Sequence, residues 1–136
     1  MAKSCNKILL VEDNNEVREL LALFMKRLGY KVFEAATGIE AIDLASAVQP
    51  DLIMMDLRLP EMDGAEATAS LKANPSTRDI PLLVVTAYGA GIDTRRALDA
   101  GATEILHKPI DVTALSNVLH RYLSVRTTKR RSPRKK

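Results

Sequence analysis

The chain has 136 residues, 46% of them hydrophobic and 27% charged, which is typical of one soluble globular domain. Its only cysteine, Cys5, excludes an intrachain disulfide, and no apolar run is long enough for a signal peptide or a membrane span, so we expect a cytoplasmic protein. The net charge of +3 is unevenly spread: residues 126–136 hold seven basic residues and no acid, which leaves thirteen basic and seventeen acidic residues, or −4, in residues 1–125.

Hydrophobic patterns predict five strands that alternate with five helices. Short apolar runs predict strands at residues 7–11, 52–56, 82–85 and 104–107, and an alternating, β-rich run predicts a strand with a more exposed face at residues 30–35. Apolar side chains at helical spacing predict helices at residues 17–28, 39–48, 65–73, 94–100 and 112–122. This alternation implies an α/β fold, a doubly wound five-stranded parallel sheet with right-handed crossovers. Of the two common strand orders, 2-1-3-4-5 makes strands 1 and 3 neighbours at the switch point, where such sheets bind ligands.

The ends and faces of the first and last helices carry more specific predictions. Asn14 or Asn15 can cap the first helix, and Gly29 suits a left-handed cap at its end. Asp111 can cap the last helix. One apolar stripe is predicted on the first helix, formed by Val17, Leu20, Leu21, Phe24, Met25 and Leu28. A second is predicted on the last helix, formed by Val112, Leu115, Val118, Leu119 and Tyr122.

Polar residues follow four of the predicted strands at their carboxyl ends, namely Glu12 with Asp13, Asp56, Thr86 and Lys108. Two unit charges about 4 Å apart repel by about 4 kcal/mol at an effective dielectric of 20, so three carboxylates in one crevice require a cation. Oxygen ligands favour a hard ion such as Mg²⁺, which keeps positions open for phosphate oxygens. Lys108 adds a positive charge and Thr86 a hydroxyl. The set therefore predicts phosphoryl transfer to Asp56, which would form an acyl phosphate.

Each of these residues also has an ordinary structural interpretation. A carboxylate at a strand end is more often a solvated or capping group than a nucleophile, Lys108 alone would be a surface lysine, and Thr86 alone would be a helix-entry residue. The functional interpretation is favoured because all members of the set fall at the same end of their strands. Among the other polar residues, Asp63 is predicted to be a loop residue, His107 to pack within its strand and His120 to be exposed.

Four short motifs give the chain a resemblance to a known family. They are V-E-D-N at residues 11–14, M-D-L-R-L-P-E-M-D-G at residues 55–64, V-T-A at residues 85–87 and H-K-P at residues 107–109. Together they resemble the receiver domain of bacterial two-component response regulators, with a layout similar to the stand-alone chemotaxis regulator. The resemblance covers residues 7–122 and implies the flavodoxin-like receiver fold.

The resemblance implies a role for each acidic residue of the crevice. Asp56 would accept a phosphoryl group from a histidine kinase or a phosphotransfer protein. Asp13 and Asp56, with the main-chain carbonyl of Arg58, would hold Mg²⁺, and Glu12 would act mainly through water. The peptide bond between Lys108 and the proline that follows would be cis, which proline readily permits.

The resemblance also implies that Thr86 and Lys108 contact the phosphoryl oxygens. The family often has a tyrosine or phenylalanine three residues before the lysine as a rotating partner to the threonine, and this chain has Ile105 there. We therefore expect the loop at residues 87–93 to move on phosphorylation in place of a ring flip. Arg58 and Tyr88 occupy positions that flank the phosphoryl group in this family and tune its lifetime.

Three functions are compatible with the sequence. The first is a phosphorylation-dependent switch, a receiver domain at residues 1–125 that signals by protein–protein binding through its 94–122 face, with no residues left for a DNA-binding output domain. The second is a Mg²⁺-dependent phosphatase with an aspartyl-phosphate intermediate, for which no further acid–base residue is evident. The third is a nucleic-acid-binding protein, which rests on residues 126–136 alone. Their like charges predict a disordered tail, and without aromatic residues they offer no base stacking. No P-loop, GxGxxG or GxSxG motif is present, and no membrane insertion is expected.

Overall fold

The computed structural model describes residues 6–87 and 91–123. The predictions made for Tyr88 and for the basic segment at residues 126–136 lie outside these residues.

Five parallel strands and five helices alternate along the described chain. The strands are β1 (Lys7–Val11), β2 (Lys31–Ala35), β3 (Leu52–Asp56), β4 (Leu82–Thr86) and β5 (Glu104–His107). The helices are α1 (Asn15–Arg27), α2 (Gly38–Val48), α3 (Gly64–Ala73), α4 (Ile92–Asp99) and α5 (Val112–Tyr122). The sheet order is β2-β1-β3-β4-β5, with parallel pairing throughout. The predicted fold class and strand order are confirmed.

Apolar layers cover both faces of the sheet, because successive side chains of a strand point to opposite faces. Leu9 and Ile53 pack in the cluster that includes buried alanines and leucines of α2, α3 and α4. Ile8 and Met54 pack in the cluster that includes buried residues of α1 and α5. All residues of β3 and β4 are buried, which explains their continuous apolar runs. Each large side chain buried this way stabilises the fold by about 1.5–3 kcal/mol.

Side-chain caps fix where four of the helices begin. The Asn14 side chain accepts a hydrogen bond from the backbone N–H of Val17, so Asn14 caps α1, one of the two residues proposed for this role. Asp111 caps α5 as predicted. Thr37 caps α2 and Asp63 caps α3, which places these helix starts one residue earlier than the sequence indicated.

Four of the predicted apolar contacts and one histidine assignment are wrong. On α1, Leu20 is 68% exposed and Val17 and Leu28 are also exposed, because the helix packs on the sheet through a narrower face that includes Ala22 and Met25. On α5, Val112 is 60% exposed because it lies in the first turn, before the helix packs on the sheet. His107 is exposed because it ends the edge strand β5, whereas His120 is exposed as predicted.

The remaining boundary differences are small. β2 begins at Lys31, one residue later than predicted, after Gly29 adopts the left-handed conformation expected of it (φ +104°). Helix α4 spans Ile92–Asp99 and so begins two residues earlier than predicted. None of the helices among the described residues is both long enough and apolar enough to span a membrane.

Candidate functional site

The carboxyl ends of β1, β3, β4 and β5 meet at one edge of the sheet. Val11, the last residue of β1, pairs with Met55 of β3, and Asp56 pairs with Val85 of β4. Thr86, the last residue of β4, pairs with His107 of β5. Because Glu12 and Asp13 follow β1 and Lys108 follows β5, the register brings these three residues to the same edge of the sheet as Asp56 and Thr86.

Asp56 is held at the centre of this crevice and is only 8% exposed. Its Oδ1 accepts a hydrogen bond from the backbone N–H of Arg58 at 3.1 Å, and its Oδ2 accepts one from the Lys108 ammonium at 3.1 Å. The chain beyond it is fixed by a hydrogen bond from the backbone N–H of Leu57 to the Val85 carbonyl at 2.8 Å. The carboxylate is therefore oriented before any ligand binds.

Glu12 is the second buried carboxylate. Its Oε2 accepts the backbone N–H of Asn14 at 3.0 Å, and its Oε1 lies 3.6 Å from the Lys108 ammonium. Burial raises the pKa of Glu12, and the nearby charge of Asp56 raises it further, although the Asn14 hydrogen bond and Lys108 oppose the shift. The site therefore disfavours the ionised form of Glu12, mainly through burial, despite the nearby positive charge of Lys108.

Asp13 completes a cluster that fits a hard cation. Glu12, Asp13 and Asp56 each offer a carboxylate oxygen, and these three atoms lie within 4.8 Å of one another. Oxygens bound to one Mg²⁺ at 2.0–2.1 Å are at most about 4.2 Å apart, so small side-chain rotations would bring the set into range. Asp13 is exposed, which leaves the cluster open to water on one side.

Lys108 connects the acidic cluster to the last two strands. Its backbone N–H donates to the Thr86 carbonyl at 2.8 Å, and the peptide bond that joins it to Pro109 is cis, as the resemblance implied. Burial lowers the pKa of the Lys108 ammonium, but its hydrogen bond to Asp56 and the charges of Asp56 and Glu12 outweigh burial, so the pKa is raised. Lys108 is consequently a fixed positive charge beside the Asp56 carboxylate.

The remaining predicted residues lie around this centre. Thr86 is buried at the end of β4, on the strand next to Asp56. Arg58 is exposed, and its backbone N–H donates to the Asp56 carboxylate. Ile105 is half-buried and packs against the apolar cluster on the α2, α3 and α4 face of the sheet. Whether the Arg58 carbonyl binds a metal stays a prediction.

Sequence reasoning missed three supports of the site. Asp63 is the N-cap of α3, with a reciprocal hydrogen bond between the Glu66 side chain and the Asp63 backbone, and the spacing Asp-x-x-Glu was the signal for such a box. Arg96 of α4 lies 3.2 Å from the Asp63 carboxylate. Arg18 of α1 donates to the Glu12 carbonyl at 2.9 Å and pairs with Glu34. No sequence pattern pointed to either arginine, because both contacts join separate elements.

An apolar cavity of about 540 Å³ opens beside Asp56. Its apolar walls include Val17 and Leu21 of α1 and Leu115 of α5, and its polar end includes Asp56 and Lys108. Asp56 therefore lies next to a surface that can take an apolar side chain.

Comparison with known proteins agrees with this geometry. The sequence profile of the response regulator receiver domain matches residues 8–120. The chain belongs to this family. It is therefore a phosphorylation-dependent signalling domain of the two-component type. Its sequence is 36% identical over 116 residues to the polar-differentiation response regulator DivK of Brucella ovis, covering 85% of this chain and 94% of DivK.

Two further similar proteins are a transcriptional regulator and the receiver domain of a sensor kinase. The DNA-binding dual master transcriptional regulator RpaA of Synechocystis sp. is 40% identical over 106 residues, which are 78% of this chain, and the match spans only 44% of RpaA. Among solved structures, the receiver domain of sensor histidine kinase PA1611 from Pseudomonas aeruginosa PAO1 is similar with a TM-score of 0.82 and 35% identity, covering 89% of this chain and 99% of that domain. That structure has a magnesium ion coordinated in the active-site cleft.

Proposed function

We propose that Asp56 is the phosphoacceptor of this receiver domain, and that a histidine kinase or phosphotransfer protein supplies the phosphoryl group from a phosphohistidine. The observation that carries the proposal is the Asp56 carboxylate, nearly buried, oriented by the Arg58 N–H and Lys108, and adjacent to two further carboxylates. A nucleophile needs an oriented lone pair and a site that neutralises the incoming charge, and this crevice offers both.

In the proposed reaction an oxygen of Asp56 attacks phosphorus while the nitrogen–phosphorus bond of the donor breaks. The bonding electrons leave with the imidazole nitrogen of the donor, and Asp56 becomes an acyl phosphate. The Lys108 ammonium is 3.1 Å from the carboxylate. It would exchange its hydrogen bond with Asp56 for one with a phosphoryl oxygen, where the new charge develops. The Thr86 hydroxyl would bind another phosphoryl oxygen.

We propose that Asp13 and Asp56 bind Mg²⁺, with the Arg58 main-chain carbonyl as a third protein ligand and Glu12 acting mainly through water. The close approach of the three carboxylates and the magnesium ion in the PA1611 receiver domain support this assignment. Bound Mg²⁺ would offset the carboxylate charge and stabilise the charge on the transferring phosphoryl group.

We propose separate surfaces for the phosphodonor and for the downstream target. The donor would dock on α1, where Leu20 and Leu23 are exposed and the apolar cavity adjoins Asp56. The target protein would bind the face formed by residues 94–122, because α4 and β5 follow Thr86 in the chain and α5 follows Lys108. Exposed Leu98 and Val112 on this face support a protein–protein contact.

We further propose that the domain, residues 1–125, works in the cytoplasm as a switch and not as a turnover enzyme. Its phosphorylation would then be stoichiometric. Phosphate release that continues for many cycles with excess small phosphodonor would instead support the aspartyl-phosphate phosphatase alternative.

Phosphorylation of Asp56 can be tested by intact mass after incubation with acetyl phosphate and Mg²⁺. The parent should gain one phosphoryl group, and Asp56→Asn should gain none. The matched control is Asp99→Asn, which removes an exposed carboxylate at the far end of α4 and should label like the parent. Labelling of Asp56→Asn at the parental rate would contradict the assignment.

A further inference from the structure

Arg18 of α1 joins three parts of the chain beside the acidic cluster. One terminal nitrogen of its guanidinium, Nη1, donates to the main-chain carbonyl of Glu12 at 2.9 Å. Its Nε donates to the Glu34 carboxylate of β2 at 3.2 Å, and its Nη2 donates to the Asn15 side chain at 2.8 Å. The Arg18 side chain is only 14% exposed, so these hydrogen bonds lie largely out of water.

The hydrogen bond to the Glu12 carbonyl restrains two carboxylates of the cluster. This carbonyl belongs to the peptide unit that joins Glu12 to Asp13, and a peptide unit is planar. A hydrogen bond to its oxygen therefore limits the rotation of the plane that contains the Cα atoms of both residues. The backbone N–H of Glu12 donates to the Ala35 carbonyl at 3.0 Å, so the sheet fixes the preceding peptide unit separately.

The Asp13 side chain depends on its main chain for its position. The other two carboxylates of the cluster accept hydrogen bonds, one from the Asn14 backbone N–H and one from the Lys108 ammonium. Among the residues that the structure describes, nothing donates a hydrogen bond to the Asp13 carboxylate or forms an ion pair with it. A carboxylate without such contacts is placed by the backbone that carries it, and Arg18 restrains that backbone.

We propose that Arg18, oriented by its ion pair with Glu34, is a positioning residue for magnesium binding. By holding the Glu12 carbonyl, it keeps the Asp13 carboxylate close enough to Asp56 for both to bind one ion. The inference rests on the Mg²⁺ site proposed above. Residues that hold a metal ligand in place typically contribute a factor of about 10–100 to metal affinity. Arginine suits this role because its rigid fork of donors can bond to several acceptors, which a lysine ammonium cannot reproduce.

Positioning and simple charge predict opposite effects when Arg18 is removed. A positive charge near a cation site repels the ion, so Arg18→Gln would strengthen Mg²⁺ binding if the guanidinium acted through its charge alone. If Arg18 positions Asp13, the same substitution weakens Mg²⁺ binding. If Arg18 only stabilised the fold, the substitution would lower the free energy of unfolding and leave the dissociation constant of the folded protein unchanged.

Titration of the full chain with MgCl₂, followed by amide chemical shifts without a phosphodonor, measures this dissociation constant. Arg18→Gln should raise it about tenfold, and Arg18→Lys should raise it as well although the charge is kept. Arg121→Gln is the matched control, because Arg121 lies in the last turn of α5 and pairs through two hydrogen bonds with Glu104, the first residue of β5. This pair lies at the end of the sheet opposite Asp56, so the control should bind Mg²⁺ like the parent.

Glu34 allows a double-mutant cycle with Arg18. Glu34→Gln keeps the guanidinium and removes the ion pair that orients it. It should weaken Mg²⁺ binding in the parent and have no further effect in Arg18→Gln. If the Glu34 carboxylate attracted Mg²⁺ through its charge alone, it would matter equally in both backgrounds. That result would overturn the role proposed for Glu34.

Fold integrity and phosphorylation are measured on the same variants. Urea denaturation without Mg²⁺ shows which variants are folded, and Arg18→Lys provides the test if Arg18→Gln is not. Labelling with acetyl phosphate at saturating Mg²⁺ should return to the parental rate in Arg18→Gln, because Asp13 is then fully ligated. A rate that stayed low at saturating Mg²⁺ would contradict a role in positioning the ligand.

The Asp13→Asn variant separates failure of this proposal from failure of the magnesium site. If Asp13→Asn binds Mg²⁺ weakly while the Arg18 variants bind it as tightly as the parent, or more tightly, Arg18 is not a positioning residue. If the parent and Asp13→Asn bind Mg²⁺ alike, the magnesium assignment is wrong and the Arg18 proposal fails with it.

Discussion

Replacing Gly64 with alanine should destabilise the protein and displace Asp56. Gly64 is the first residue of α3 and lies against the backbone that follows Asp56. A Cβ at this position would be 2.8 Å from the Asp56 carbonyl oxygen and 2.8 Å from the Leu57 Cα. Because ordinary contact begins at 3.4 Å, the backbone would have to retreat by about 0.6 Å. No side-chain rotation can supply this movement, since both atoms belong to the main chain.

Two opposing effects set the magnitude for Gly64→Ala. Alanine is favoured over glycine in a helix by about 0.5–1 kcal/mol, whereas overpacking a rigid site costs about 1–3 kcal/mol. The Gly64 N–H also donates to the Leu57 carbonyl at 2.8 Å, a bond that the retreat would lengthen. We therefore expect a net loss of about 1–2 kcal/mol in the free energy of unfolding, with slower phosphorylation because Asp56 is displaced.

Gly38→Ala is the matched control, because Gly38 is also the buried first residue of a helix. A Cβ there would be 3.2 Å from the sulfur of Met62 and 3.3 Å from the Cβ of Ala67. The methionine side chain is flexible enough to move, so the change in stability should stay within about 0.5 kcal/mol. Urea denaturation measures the free energy of unfolding of both variants, and labelling with acetyl phosphate measures their rate of phosphorylation. Equal stability and equal labelling rates for Gly64→Ala and Gly38→Ala would refute the reasoning.

Three further predictions concern acidic side chains. Mg²⁺ should raise the melting temperature of the parent by relieving carboxylate repulsion, and an equal rise in Asp13→Asn would argue against Asp13 as a ligand. Burial raises the pKa of Glu12 above 4.5, so between 4.5 and the raised pKa the folded state binds more protons than the unfolded state. The folded state therefore loses stability as the pH rises through this range. Glu12→Gln, compared by urea denaturation without Mg²⁺, should thus gain stability over the parent as pH rises from 4 to 7, and a constant difference would contradict the shift. Asp63→Ser should keep the α3 cap while Asp63→Ala loses about 1 kcal/mol, and equal melting temperatures would exclude a capping role.

The features that the sequence predicted best depend on burial from both sides. Residues 52–56 and 82–85 are continuous apolar runs, and only a strand in the interior of a parallel sheet buries every residue in this way. Once these strands are central, the polar residues that follow them must share one edge. The position of Asp56 beside Glu12, Asp13 and Lys108 could therefore be predicted without knowledge of any distance.

The features that the sequence failed to predict depend on how helices and strands pack against one another. The spacing of Leu20 is correct for an amphipathic helix, yet periodicity does not say how wide a face the sheet will cover, and Leu20 is left exposed. His107 is the last residue of β5, which is an edge strand, so no further strand covers it on the outer side. The Arg96–Asp63 pair joins residues 33 positions apart, so no local pattern encodes it.

We expect Ile105 to affect how a phosphorylation signal leaves Asp56. An aliphatic side chain packed against the apolar core has no hydroxyl with which to change hydrogen-bond partners. Two polar contacts connect the surroundings of Asp56 to the following elements: Lys108 joins Asp56 to the Thr86 carbonyl, and Arg96 joins α4 to Asp63 at the start of α3. The Arg96 pair is half-exposed, and such pairs contribute only about 0–1 kcal/mol. Allosteric coupling free energies are typically about 1–3 kcal/mol, which is enough to break the Arg96–Asp63 pair. Ala97 is fully buried in the apolar cluster, so we expect α4 to shift while it stays packed on the domain.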